Sequence, residues 1–358
     1  MRSHVTLAHD SPIFRRSPVP SLLDPHETPR HCPPVVANPP FDDPPVSSFA
    51  DIEPCQTSAI ADAHPNALAG EIWKHSGWHR TRARVHEALI VSLQSQRRCR
   101  RFAECGSYAW LIRSVERPTE YRIKTSACRD RFCLPCATMR ARIIAHNVSL
   151  LAGKQRLRLV TLTLKGNDQD LGFSLRRLAK CFVSLRRTRL WKDSVVAGCA
   201  CEEVKLGKNS GQWHVHLHVI VKGRYIPHKL LSDAWLRITG DSPVVHIAMI
   251  RGNEFVVKYV TKYASKPYDG SVVRDRWKLV EMIVALRGHR MVAAFGEWHG
   301  HRLSQPPEGD HWEIVETLES FFDRLRRRDV DAVAISQQLN GNRLHDLHVW
   351  AASRPRAP

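Results

Sequence analysis

The sequence predicts an α+β core, a central antiparallel sheet with helices, and three observations carry that expectation. The run Trp213-His214-Val215-His216-Leu217-His218-Val219-Ile220-Val221 alternates imidazoles with β-branched or aliphatic side chains, the period of a half-buried strand. Val195 to Leu206 reads as another strand, and the turn Gly207-Lys208-Asn209-Ser210-Gly211 joins the two as a hairpin. Helical spacing flanks them: Leu175, Leu178, Phe182 and Leu185 share one side of Ser174 to Leu190, and Lys229 to Ile238 reads as a further helix.

The remaining elements fall into place in chain order. Residues 1–68 are rich in Pro, Ser, Asp and His, with Pro33-Pro34, Pro39-Pro40 and Pro44-Pro45, and read as a disordered N-terminal region. Residues 69–140 hold a basic helical stretch, Thr81 to Phe102, followed by a cysteine cluster. Residues 141–270 form the core, which opens on the strand Leu159-Val160-Thr161-Leu162-Thr163-Leu164. Residues 271–358 are a helical and basic C-terminal region, with a helix expected from Trp312 to Arg328.

Composition points to a polyanionic partner. Lys and Arg number 54 against 35 Asp and Glu, a formal charge of +19, and the pI is near 9.9. Basic side chains gain by contacting phosphates and releasing their counterions. Any one cluster, such as Arg97-Arg98-Cys99-Arg100-Arg101, reads equally as a solvated face; the excess over the whole chain does not. No apolar run approaches the length of a membrane span and no secretory signal is visible, so a cytoplasmic protein with reduced cysteines and no membrane partner is expected.

Three groups of residues carry chemistry. Side chains alternate along a strand, so His214, His216 and His218 share a face where neutral nitrogens suit a divalent metal; the alternative is a half-buried strand with incidental histidines. A helix runs from the turn Arg251-Gly252-Asn253 to Pro267, with Asn253 as its N-cap. On it Tyr259 and Tyr263 lie one turn apart, each followed three residues later by a cation, Lys262 and Lys266. A phenol is a weak nucleophile that a neighbouring cation activates; packed tyrosines with snorkelling lysines are the alternative. Finally, Cys105, Cys128, Cys133 and Cys136 can close a tetrahedral zinc site, although the spacing from Cys128 to Cys133 is looser than a usual pair. Cys181, Cys199 and Cys201 read as core packing.

These segments together resemble the HUH endonucleases, the rolling-circle replication initiators and their relatives. His216-Leu217-His218 resembles the family's His-hydrophobic-His strand. Val256 to Lys262 resembles its tyrosine motif, and Val260 to Lys266 repeats it, as in the two-tyrosine branch. The Thr-rich strand Leu159 to Leu164 matches the first motif in order, and Cys-Arg-Asp-Arg-Phe-Cys-Leu-Pro-Cys resembles the cysteine cluster that precedes the catalytic domain in many plasmid initiators.

The resemblance implies a ferredoxin-like HUH core, an antiparallel sheet with helices on one face, preceded by a zinc-binding segment. It implies a metal site of His216 and His218 for Mg²⁺ or Mn²⁺. Glu203 is the candidate third ligand, with His214 competing and Glu254 a weaker option. Plasmid relatives often place a glutamate four residues before the tyrosine; here Phe255 holds that place. The implied function is rolling-circle initiation: nicking and rejoining of single-stranded or hairpin origin DNA through a 5′-phosphotyrosine, with a host helicase and polymerase. The protein would be carried on a bacterial plasmid, phage or integrated element. The alternatives are a single-strand transposase of the same chemistry and a non-catalytic zinc-containing DNA-binding protein.

Overall fold

The computed structural model describes residues 65–339 apart from 154, 156, 208–209, 251–258, 261–267 and 306–310, and all of these belong to one compact unit, Thr57–Pro358. In chain order the helices are α1 (Pro65–Lys74), α2 (His79–Val91), α3 (Gln96–Ala103), α4 (Leu134–Ala152), α5 (Leu171–Arg187), α6 (Arg189–Ser194), α7 (His228–Thr239), α8 (Gly270–Arg274), α9 (Arg276–Ala285), α10 (Leu318–Arg326) and α11 (Val330–Gln338). The strands are β1 (Ala109–Ser114), β2 (Tyr121–Thr125), β3 (Leu157–Thr163), β4 (Val195–Leu206), β5 (Trp213–Gly223), β6 (Val245–Ile250), β7 (Val292–Gly296) and β8 (Trp312–Thr317). They form two antiparallel sheets, β2-β1-β8 and β6-β3-β5-β4-β7. The fold is α+β, as the alternation and the helical spacing predict.

The histidine strand β5 is the centre of the larger sheet, and its burial pattern shows how the sheet is covered. From Trp213 to Leu217 buried and half-buried residues alternate; from Leu217 to Val221 every residue is buried. One face is covered along its whole length. Val160, Leu162, Val215, Leu217, Val219 and Ala200 pack there on Leu171, Leu175, Leu178 and Leu185 of α5 and on Leu231 and Trp235 of α7. Among the described residues the other face is covered at its far half, where Leu157, Leu159, Ile220 and Cys199 meet Ile144, Ala145 and Val148 of α4. Helices therefore lie on both faces, where the resemblance implied one. The reason is the unbroken apolar run Val219-Ile220-Val221, which has to be buried on both sides.

Local chemistry fixes the helix ends. Asp170 caps α5, its Oδ1 accepting from the Phe173 amide at 2.7 Å, and Gly240 closes α7 in the left-handed region at φ 81°. Gly198 of β4 faces Phe295, and a Cβ there would lie 2.5 Å from the ring and from the Ile220 carbonyl oxygen. Only glycine lets Phe295 lie over the strand and meet Phe182 edge-on at 5.7 Å.

The smaller sheet packs on α1 and α10 through Ala69, Trp73, Leu111, Phe321 and Phe322. Here two expectations are corrected. Trp312 to Arg328 is not one helix: Trp312–Thr317 is β8, bonded to β1, and α10 starts after the Thr317 cap. Trp312 and Ile314 alternate with Glu313, which is the strand period. The basic stretch Thr81 to Phe102 is likewise two helices, broken at Leu93 with φ 53° and restarted by the Ser95 cap. Helix α4 runs without a break across position 140.

Candidate metal centres and nucleic-acid site

Three segments assemble the cysteine cluster. Cys105 precedes β1 and Cys128 follows β2, so the antiparallel pairing of those strands brings them together. The Cys128 amide donates to Cys105 Sγ at 3.4 Å. Cys133 sits at the N-cap of α4, and Cys136 lies in its first turn. An Asx turn, Asp130 Oδ1 accepting from the Phe132 amide at 2.9 Å, folds the loop between Cys128 and Cys133. All four cysteines are buried, and their sulfurs lie within 4.8 Å of one another. Cys105 is 3.7 Å from Cys133 and 3.7 Å from Cys136, and Cys128 is 3.7 Å from Cys136. A zinc tetrahedron with Zn–S bonds of about 2.3 Å has S···S edges of about 3.8 Å, so these three pairs stand at the separation zinc requires. Hydrogen bonds from the other three cysteines push the Cys105 thiol far below its usual range.

One neighbour was not legible as such. His75 is fully buried, its Nδ1 donates to the Glu71 carbonyl at 2.9 Å, and its Nε2 lies 3.7 Å from Cys133 Sγ. It sits just before α2, far from the cysteines in sequence, and only the packing of α1 brings it there.

On the larger sheet the register defines a polar face. His218 stands between Thr161 of β3 and Cys201 of β4, and His216 between Thr163 and Glu203. The His216 and His218 rings are nearly parallel, 6.3 Å between centroids, close to the spacing of residues two apart on a strand. Hydrogen bonds join His218 Nδ1 to Thr161 Oγ1 at 3.1 Å and His216 Nδ1 to Thr163 Oγ1 at 3.2 Å. Nε2 of His218 donates to Glu203 Oε2 at 3.0 Å, and Lys205 Nζ reaches the same oxygen at 2.9 Å. Burial raises the Glu203 carboxyl, but the hydrogen bonds from His218 and Lys205 outweigh it and hold it at about 2. Desolvation holds His216 at about 4, against the pull of Glu203. Ionised carboxylate and neutral imidazole are the states in which these groups act as ligands.

The face is a weaker gathering than the cysteine cluster. Among the described residues only the four cysteines bring three or more ligand atoms within 4.8 Å. His214, the competing ligand, lies against turn backbone: a Cβ on Gly207 would be 2.7 Å from its Nε2 and one on Gly166 3.0 Å from its Cε1. The threonine partners were legible only as members of a strand. His246 of β6, opposite Thr161 and on the same face, was missed; the alternation in Val245-His246-Ile247 is the signal that could have found it.

Tyr259 is helical and packs on the cluster of Cys199, Cys201, Ile220 and Leu159. That cluster lies on the histidine face, so the phenol and the imidazoles share one side of the sheet. Tyr263, Lys262, Lys266 and Glu254 lie outside the described residues. No described helix is long and apolar enough to cross a membrane.

An antiparallel sheet bearing a histidine–carboxylate face, joined to a four-cysteine cluster on a strongly basic chain, defines a candidate nucleic-acid-processing protein. A family model described as Replication protein matches residues 121–340, more than half of the chain, and the chain belongs to that replication protein family (Rep_1). It is similar to a protein named Protein rep from Lactiplantibacillus plantarum, 26% identical over 205 residues, which cover 48% of this chain and 64% of that protein. It is also similar to a Protein rep from Staphylococcus aureus, 26% identical over 186 residues, 46% of this chain and 81% of that protein. The match thus spans less than two thirds of the first relative. No solved structure matches.

Proposed function

We propose that this protein is a plasmid-type rolling-circle replication initiator of the HUH class, which nicks and rejoins single-stranded or hairpin origin DNA. The observation that carries this reading is the shared sheet face: His216, His218 and the hydrogen-bonded Glu203 at one end, and Tyr259 packed on the same side. Membership of the replication protein family favours replication over transposition.

In this reading His216, His218 and Glu203 would hold Mg²⁺ or Mn²⁺, which would supply Lewis-acid polarisation of the scissile phosphate. The chain's own residues do the rest. Each threonine hydroxyl can donate to Nδ1 or accept from it, so it keeps its ring in place in either tautomer. The Tyr259 oxygen attacks phosphorus and the P–O3′ bond breaks. The 3′-oxygen takes up a proton, and the 5′-phosphate stays on tyrosine. A host polymerase extends the 3′-hydroxyl behind a host helicase. When a 3′-hydroxyl attacks the phosphotyrosine, the phosphodiester re-forms and tyrosine leaves, so the bond energy is conserved and no ATP is consumed. Lys262 lowers the barrier to losing the phenolic proton. Tyr263 with Lys266 is the second nucleophile, which cuts the regenerated site so that strands can be joined into a circle. Zinc at Cys105, Cys128, Cys133 and Cys136 is structural.

The test is adduct formation on a single-stranded oligonucleotide carrying the origin, with Mn²⁺, read by mass spectrometry. Wild type should give a tyrosine–DNA adduct and Tyr259→Phe none at the first cut. Tyr263→Phe should keep the adduct but fail to close a circle. No nicking by wild-type protein on any part of its own replicon would reduce the protein to a zinc-containing DNA binder.

A further inference from the structure

The loop that folds the cysteine cluster also builds a cleft. It has a volume of about 350 Å³ and collects Arg98, Arg129, Arg131, Arg140 and Arg287 around a single carboxylate, Asp130. Arg98 consumes that carboxylate, its Nε 2.7 Å from Oδ2. Asp130 is further occupied by the Phe132 amide. Arg129, Arg140 and Arg287 are exposed and make no ion pair with a described residue. Arg131 is held by the His289 carbonyl at 2.7 Å, yet its buried Nη1 has no hydrogen-bond partner among the described residues. Gathering four uncompensated guanidinium groups around one cleft is unfavourable unless an anion enters it.

The surroundings hold these groups in position. Arg129 occupies the left-handed region at φ 59° inside the cysteine loop, and Arg140 lies on α4 one turn beyond Cys136. Gly288, at φ 70°, turns the chain after α9 with open space where a Cβ would stand. The turn is tied to the larger sheet by His289, whose Nε2 donates to Glu202 at 2.5 Å. Glu202 alternates with Glu203 on β4, so this turn is anchored from the face opposite the histidines. A larger cleft of about 660 Å³, lined by Arg176 and Asp170, continues from the first through Arg287 and Gly288. Its acids are engaged: Asp170 caps α5, and Glu281 accepts from Trp213 Nε1 at 2.6 Å and from the Leu171 amide at 2.8 Å.

We propose that this arginine cleft binds a backbone phosphate of the origin DNA away from the cut, so that the zinc loop is a second DNA contact. Guanidinium forks match a phosphodiester better than a carboxylate-poor cavity matches any neutral ligand. The proposal rests on the reading of the chain as an origin-DNA protein, but not on nicking. Its occupant is polymeric phosphate, and a free anion is the alternative to be separated.

The test measures affinity against salt for two ligands, an origin hairpin with its duplex flank and a short single strand holding only the cut site. In Arg129→Ala/Arg140→Ala the slope of log K against log salt for the long ligand should become shallower by about 1 to 2, since each lost phosphate contact removes about 0.9. The short strand should bind and form its adduct as in wild type, zinc content should be unchanged, and Arg129→Lys/Arg140→Lys should recover the slope. An unchanged slope on the long ligand, with zinc retained, overturns the proposal. So does protection of wild type by millimolar inorganic phosphate in thermal unfolding with no slope change, which would make the cleft a free-anion site. If even wild type forms no adduct, the nicking reading fails while the slope comparison still decides this one.

Discussion

At the cysteine cluster four ligand atoms lie within 4.8 Å of one another and every residue is buried, whereas on the sheet the two histidine rings stand 6.3 Å apart and His216 is only half-buried. The difference comes from what carries the ligands. A hairpin end, an Asx turn and a helix start curve around a point, so their side chains converge. A sheet face holds side chains side by side at the pleat spacing, so they line a surface and leave one direction open. A closed set of four thiolates suits a structural ion; an open face with two imidazoles and a carboxylate suits an ion that must also touch substrate. The same contrast appears in the neighbours. The cysteines are backed by buried His75 and the core residue Phe132, while the histidines are backed by threonine hydroxyls and lead to Tyr259.

This comparison breaks first at the cysteines. Cys133→Ser or Cys136→Ser should release zinc and unfold the region around residues 105–140, because structural zinc contributes about 10 kcal/mol or more of apparent binding energy to folding. Elemental analysis and a thermal scan check it. A wild-type protein that is folded and contains no zinc would remove the distinction between the two sites. EDTA should separate them further, abolishing nicking well before the cysteine region unfolds.

The histidine face comes next. His216→Ala or His218→Ala should lower nicking at least about 100-fold, on the scale of losing an electrostatic contribution to the transition state. DNA binding should stay near wild type, since affinity comes from lysine and arginine contacts with phosphate. Both variants should keep zinc and stay within about 1–2 kcal/mol of wild-type stability. Wild-type nicking rates in both would show that the face is a half-buried strand with incidental histidines.

The two sites also differ in how far they were legible in the sequence. The polar face was readable because a strand has a fixed period: His216, His218 and Glu203 were placed on it from alternation and one short turn. In the register Glu203 lies opposite His216. The four cysteines were readable from their spacing, but the place of Cys128 beside the others was not, because it depends on where β2 ends. What stayed hidden depends on long-range packing. His75 reaches Cys133 across 58 residues, and Arg140 and Arg287 meet Arg129 in a cleft made by three separate elements. The strand β8 was misread because a helix follows it directly, and the Trp312–Thr317 pattern was absorbed into the helical run. Helices on the second face were missed because a continuous apolar run says that both sides are buried, but not by what.

The smallest effect, and the one that sharpens the comparison most, concerns the threonines. Thr161 and Thr163 touch no substrate in the proposed chemistry; their hydroxyls only hold Nδ1 of His218 and His216. Valine has nearly the same shape and keeps the strand preference, so Thr161→Val/Thr163→Val removes the hydrogen bonds with little change in packing. Freed rings are less well oriented and less basic, which lowers metal affinity about 10- to 100-fold. The Mn²⁺ concentration for half-maximal nicking should rise by that factor, and the rate at saturating Mn²⁺ should return to near wild type. A loss of rate that metal does not rescue would mean that the hydroxyls act on the DNA itself. At the cysteines the same kind of change, His75→Gln, should leave zinc content unchanged, because four buried thiolates already close that site. Equal sensitivity of both sites to their outer partners would show that the histidine face is as closed as the cysteine cluster.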